Sequence, residues 1–179
     1  MNELSPLRLW MMRGSFTALI LGILFFHLLP LQTSTGGLIW PDLVLGFALA
    51  WSVRRPEFVP AVLLAAVFLL ADLLLQRPPG LWALLALIAC EQLKAQSRSL
   101  RDASLATELA SVGAWIIGIG IAYHMVLALL LVDRPAFGLV VIQMIATALA
   151  YPLVIAVTHA VMGVRKAAAN DIGGKGARS

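Results

Sequence analysis

The chain has 179 residues, of which 61% are hydrophobic and only 12% charged, with a formal net charge of +4. Soluble domains carry about 25% charged residues, so a water-soluble globular class is excluded. The isoelectric point of about 9.8 would suit a nucleic-acid binder. However, the basic residues stand in pairs between apolar runs, where membrane topology places them anyway, and no nucleic-acid partner is expected.

Apolar runs tile the sequence and predict an all-α integral membrane protein: a compact bundle of six transmembrane helices over residues 1–163, with a disordered basic cytoplasmic tail at 164–179. The predicted spans are about 15–31, 40–53, 57–76, 80–93, 109–132 and 136–162. Residues 1–13, with Arg8, Trp10 and Arg13, read as an interfacial tail. The first run is read as an uncleaved span rather than a signal peptide. Its small residues Gly14, Ala18 and Gly22 recur at helical spacing and permit close approach of another backbone. His27 falls near the end of that span, at headgroup level.

The polar segment 32–37 (QTSTGG) leads to Trp40-Pro41-Asp42. Proline fits a first helical turn because its missing N–H has no partner there, and an acid beside it meets the positive end of the helix dipole. Pro56-Glu57 repeats the pattern at the expected start of span three. Asp42 and Glu57 are therefore predicted as helix-start residues, and Arg54, Arg55, Pro56 and Glu57 as a tight cytoplasmic turn. Asp72 is different, because it lies inside an apolar run where a charge costs about 2.5–3.5 kcal/mol at the bilayer centre. Its helical neighbours Phe68, Ala65 and Ala61 put it on a face that should point at other helices. It is the leading candidate for a structural or partner-binding role.

Span four is weak and ends at Cys90-Glu91-Gln92-Leu93-Lys94, but charge parity requires it. With six crossings, eleven of the thirteen basic residues lie on the cytoplasmic side with both termini, and only Arg77 and Arg134 lie outside. Residues 94–108 read as a polar, helical segment at the cytoplasmic surface, able to meet anionic headgroups or a partner. Span five carries Ala106, Ala110, Ala114, Gly118 and Ala122 four residues apart, a face for close helix packing. The expected use is inside the bundle, with a partner protein's helix as the alternative. His124 is a second unusual polar residue there. Asp133-Arg134-Pro135 forms a short outer turn, and Pro152 interrupts the backbone bonding of span six.

Chemistry-bearing motifs are sparse. There is no His-Glu-x-x-His, nucleophile elbow or phosphate loop, and Gly118-Ile119-Gly120 reads as helix packing. Ser111 and His124 are about 20 Å apart along one helix. Glu91 has Lys94 three residues on as an ion-pair partner. The lone Cys90 cannot form an intrachain disulfide. No enzymatic activity, cofactor or metal is expected.

Residues 40–84 carry a resemblance. Trp40-Pro41-Asp42-Leu43, Trp51 with Arg54 to Glu57, Asp72, and Pro79-Gly80-Leu81 followed by Ala83-Leu84 resemble, in order and spacing, the MreD family of bacterial rod-shape membrane proteins. The resemblance implies a non-enzymatic scaffold of the bacterial inner membrane. Such proteins act with MreC, the MreB filament, and RodA with its partner transpeptidase in lateral peptidoglycan synthesis and cell shape. It also implies a fold similar to the S-components of vitamin transporters. The competing expectation is a small-molecule-binding transporter subunit, with Asp72 and His124 lining an intramembrane pocket of a few hundred Å3.

Overall fold

The structure, a computed structural model, describes residues 6–29, 40–132 and 136–162, with the backbone alone at 101–102 and 161–162. The expected 32–37 loop, 133–135 turn and 164–179 tail lie outside these. The described residues form six α-helices: α1 (Pro6–Leu28), α2 (Leu43–Arg54), α3 (Ala61–Leu74), α4 (Leu81–Asp102), α5 (Leu105–Leu129) and α6 (Phe137–Met162). No strand occurs among them.

Helices α1, α5 and α6 are long and apolar enough to cross a membrane. Their outward faces are greasy: Leu129 is 82% exposed, Val62 on α3 81% and Leu149 on α6 75%. Apolar cover on that scale is foreign to soluble monomers. The fold is an all-α bundle with several long apolar helices, in keeping with a multi-span membrane protein.

Four helix boundaries differ from expectation, each for a local reason. α1 already includes Pro6 and no breaker follows before Leu28; the described part of the expected interfacial tail is therefore helical. Pro56 and Pro60 prevent a helix from starting at Glu57. Residues Pro56–Phe58 make a 3-10 turn, and α3 starts only at Ala61. α4 runs through the expected surface segment to Asp102, because nothing between 81 and 102 breaks it and Leu93, Ser97 and Leu100 keep one face buried. Ser104 then caps α5 by accepting from Thr107 N at 3.3 Å, which sets Glu108 in the first helical turn.

Helix α2 packs on α4 and α6, and α5 packs on the same two, so α2, α4, α5 and α6 form a ring with α2 and α5 opposite one another. α3 packs on α4, while α1 lies along α2 and α3. The 12-residue α2 is buried from Val44 to Arg54. At about 18 Å it is shorter than a hydrocarbon core of about 30 Å, and it is enclosed by protein on every side. Trp51 fills the space between α1 and the 3-10 turn, its ring tilted against Phe16 at 5.2 Å and edge-on to Phe58 at 6.2 Å.

Candidate functional site

The two ends of the ring hold different polar constructions. At the end where α2 begins, Asp42 caps that helix, its Oδ1 accepting from Leu45 N at 2.9 Å. Its own N–H donates to Thr147 Oγ1 of α6, also at 2.9 Å. Asp72, fully buried near the end of α3, accepts from Gly80 N at 2.9 Å and Ala83 N at 3.1 Å through Oδ2. It supplies the side-chain cap that α4 lacks, because Gly80 occupies the capping position with φ +88, a conformation glycine adopts without penalty. A carboxylate against these amides also faces the positive end of the α4 dipole. Asp72 therefore holds helices together, which answers why it sits in an apolar run.

Arg77 joins these acids. α3 closes with Gln76 in the left-handed region (φ 54) and Arg77 N bonded to Asp72 O at 2.9 Å, a Schellman turn that folds Arg77 back over the ring. Its Nη1 donates to Asp42 Oδ2 at 3.4 Å, and its guanidinium lies 4.8 Å from the Trp82 ring centre. Tyr123 of α5 meets Trp82 edge-on at 5.1 Å. Behind this polar rim a cavity of about 470 Å3 runs into the ring, lined by Leu45, Ile116, Leu127, Val140 and Met144 among others, with Gln143 and Tyr123 at its polar side. Gly120 permits its packed wall: a Cβ there would collide with the Met144 side chain.

At the other end, Arg54 of α2 reaches across the ring to Glu108 of α5. The ion pair measures 3.2 Å, with the two side chains 9% and 0% exposed. Tyr151 of α6 donates its hydroxyl to Glu108 Oε1 at 3.2 Å. This end is filled by a cross-ring network. Arg54 is thus no turn residue, contrary to expectation; Arg55 pairs with Glu57 at 3.3 Å beside Pro56, and Arg13 donates to Glu57 O at 3.4 Å.

Other expected residues fall elsewhere. The His124 ring lies tilted against Phe137 at 5.2 Å, and neither it nor Asp72 lines the cavity. The α5 ladder is not used inside the bundle: Ala106, Ala110, Ala114 and Gly118 are exposed and Ala122 half-buried, while Val112, Ile116, Ile119 and Gly120 face inward. The α1 ladder likewise turns outward at Gly14 and Ala18, with Phe16, Ile20 and Leu24 packed instead. The small residues that the bundle does bury lie mainly on α2 and α4, at Gly46, Ala48, Ala50, Ala83, Ala86 and Ala89, with Gly120 on α5. Glu91 pairs with Lys94 at 2.6 Å as expected.

Sequence reasoning passed over Glu108, Tyr151 and Arg77. A signal existed for Glu108, which shares the helical stripe of Val112, Ile116 and Ile119. No group of three or more His, Cys, Asp or Glu residues that could hold a metal ion occurs among the described residues. The chain matches no protein-family model, no curated protein and no solved structure.

Proposed function

We propose that the chain is a six-span scaffold of a bacterial inner membrane that binds the transmembrane helix of an MreC-like partner. With RodA, its partner transpeptidase and the MreB filament, it would direct lateral peptidoglycan synthesis and cell shape. The observation that carries the helix-binding part is the outward position of the small-residue ladders on α1 and α5, which the bundle itself leaves unused. In lipid, small residues spaced four apart let a second backbone come close. The identity of the partner rests on the resemblance over residues 40–84. In this reading α2 and α3 cross together with residues 40–42 and 75–80, which extend the two short helices at the Asp42 end. The Arg54 end faces the cytoplasm and the Asp42 end faces outward, following the distribution of basic residues.

The test is co-purification. Ala114→Ile with Gly118→Ile should abolish capture of the MreC-like protein while expression and melting temperature stay at wild-type values. Retained capture and normal rod shape would remove the ladder from the interface. A second reading, a small-molecule-binding transporter subunit, is favoured by the cavity of about 470 Å3. Its test is substrate-dependent uptake in reconstituted vesicles together with a co-purifying substrate, and rod-shape loss on depletion without any uptake defect counts against it.

A further inference from the structure

From the cavity at the Asp42 end we infer a binding site for an anionic single-chain lipid, with the oxyanion on Arg77 and the chain in the apolar interior. The inference stands apart from both functional readings, since it requires neither a partner helix nor transport. Asp42 and Asp72 each accept from backbone amides at a helix start, so both carboxylates are partly compensated by helix dipoles. Arg77 is therefore not consumed by them. Its five N–H donors meet a single carboxylate oxygen at 3.4 Å, long beside the 2.7–2.9 Å of a well-formed charge-assisted bond.

Apart from the Trp82 ring beside it, no other described group is hydrogen-bonded to that guanidinium, which lies on the cavity wall. The Gln143 amide and the Tyr123 hydroxyl, also on the wall, make no side-chain hydrogen bond to described residues. Together they offer a second set of donors to a headgroup oxygen. Below them the wall is aliphatic, at Leu45, Ile116, Leu127 and Val140. A cavity of about 470 Å3 falls within the range of about 300–1,000 Å3 that holds a small ligand. One cationic edge above an aliphatic slot within a membrane protein selects an amphiphile over a soluble anion.

The experiment is titration of the full-length protein, purified in maltoside, with 1-oleoyl lysophosphatidic acid, read by native mass spectrometry. Saturable binding of one molecule is expected, with uncharged monooleoylglycerol weaker by about tenfold, the scale of one charge-assisted bond. Inorganic phosphate alone should neither bind nor compete; full competition by phosphate would make the ligand a soluble anion and overturn the lipid assignment. Arg77→Gln should weaken binding by about tenfold or more. Arg77→Lys, which keeps the charge and loses the planar fork, should fall between it and wild type. Asp42→Asn retains the helix cap and removes the carboxylate that competes for Arg77, so it should tighten binding. Val140→Trp should fill the slot and abolish binding without lowering the melting temperature. Unchanged affinity in Arg77→Gln and Arg77→Lys, weaker binding in Asp42→Asn, or undiminished binding in Val140→Trp would each overturn the inference.

Discussion

Arg54, Glu108 and Tyr151 meet across one end of the α2–α4–α5–α6 ring, whereas at the other end Asp42, Asp72 and Arg77 stay close to the helix starts and leave a hollow. Both ends set an arginine against carboxylate in protein surroundings. They differ in what the carboxylates accept. Glu108 takes side chains from α2 and α6, and its bond to the opposite helix α2 spans the ring. Asp42 and Asp72 take backbone amides at the starts of α2 and α4, so their bonds run along the rim. An acid that caps a helix fixes a boundary, and one that pairs across a bundle fixes its diameter.

The largest effect that should separate the ends is at Glu108. Glu108→Ala leaves the Arg54 guanidinium buried without its partner and should cost about 3–5 kcal/mol, read as a fall in thermal stability in detergent. Arg54→Met combined with Glu108→Leu should recover most of that loss, because the pair is then replaced rather than broken. Stability equal to wild type in Glu108→Ala would mean the pair is not formed in the membrane.

Asp72→Ala should cost about 2–3 kcal/mol, with about 1–3 kcal/mol from stranding the buried Ala83 N–H and less from the part-buried Gly80 N–H, and should lower protein level without preventing insertion. Asp72→Asn keeps an acceptor at the start of α4 and should recover about half of the loss. Equal losses in the two variants would assign the role of Asp72 to charge instead of capping. Gly120→Val should cost about 1–2 kcal/mol, since Met144 must give way but its end is flexible. The smallest effect is expected at Val140→Phe, within about 1 kcal/mol, because the cavity can receive the ring. Val112→Phe at the filled end should cost about 1–3 kcal/mol as ordinary overpacking.

The helix order and the hairpin between α2 and α3 were legible because apolar runs and prolines mark them directly. Asp72 was legible as an exception, since a carboxylate in an apolar run needs a partner. Its partners were not, because they are main-chain amides across a turn and carry no side-chain signature. The glycine at the capping position of α4 left a gap that an acid eight residues earlier filled. Glu108 was hidden for the opposite reason: it follows Lys94, Arg98 and Arg101, and a charged segment explains itself as a topology signal. The ladders show most plainly where sequence stops. Small residues four apart state that a backbone can come close there, and only the packing of α1 and α5 tells which side of the bundle that backbone is on.

One end of the ring is hollow and the other filled, and cysteine accessibility tests this difference most directly. Leu127 and Val112 lie on the same helix and are 2% and 1% exposed, so surface exposure does not distinguish them. In a Cys90→Ala background, Leu127→Cys should react with a small methanethiosulfonate reagent through the cavity and be protected by lysophosphatidic acid, while Val112→Cys stays inert. Equal reactivity at the two positions, or no reaction at either, would contradict the difference between the ends.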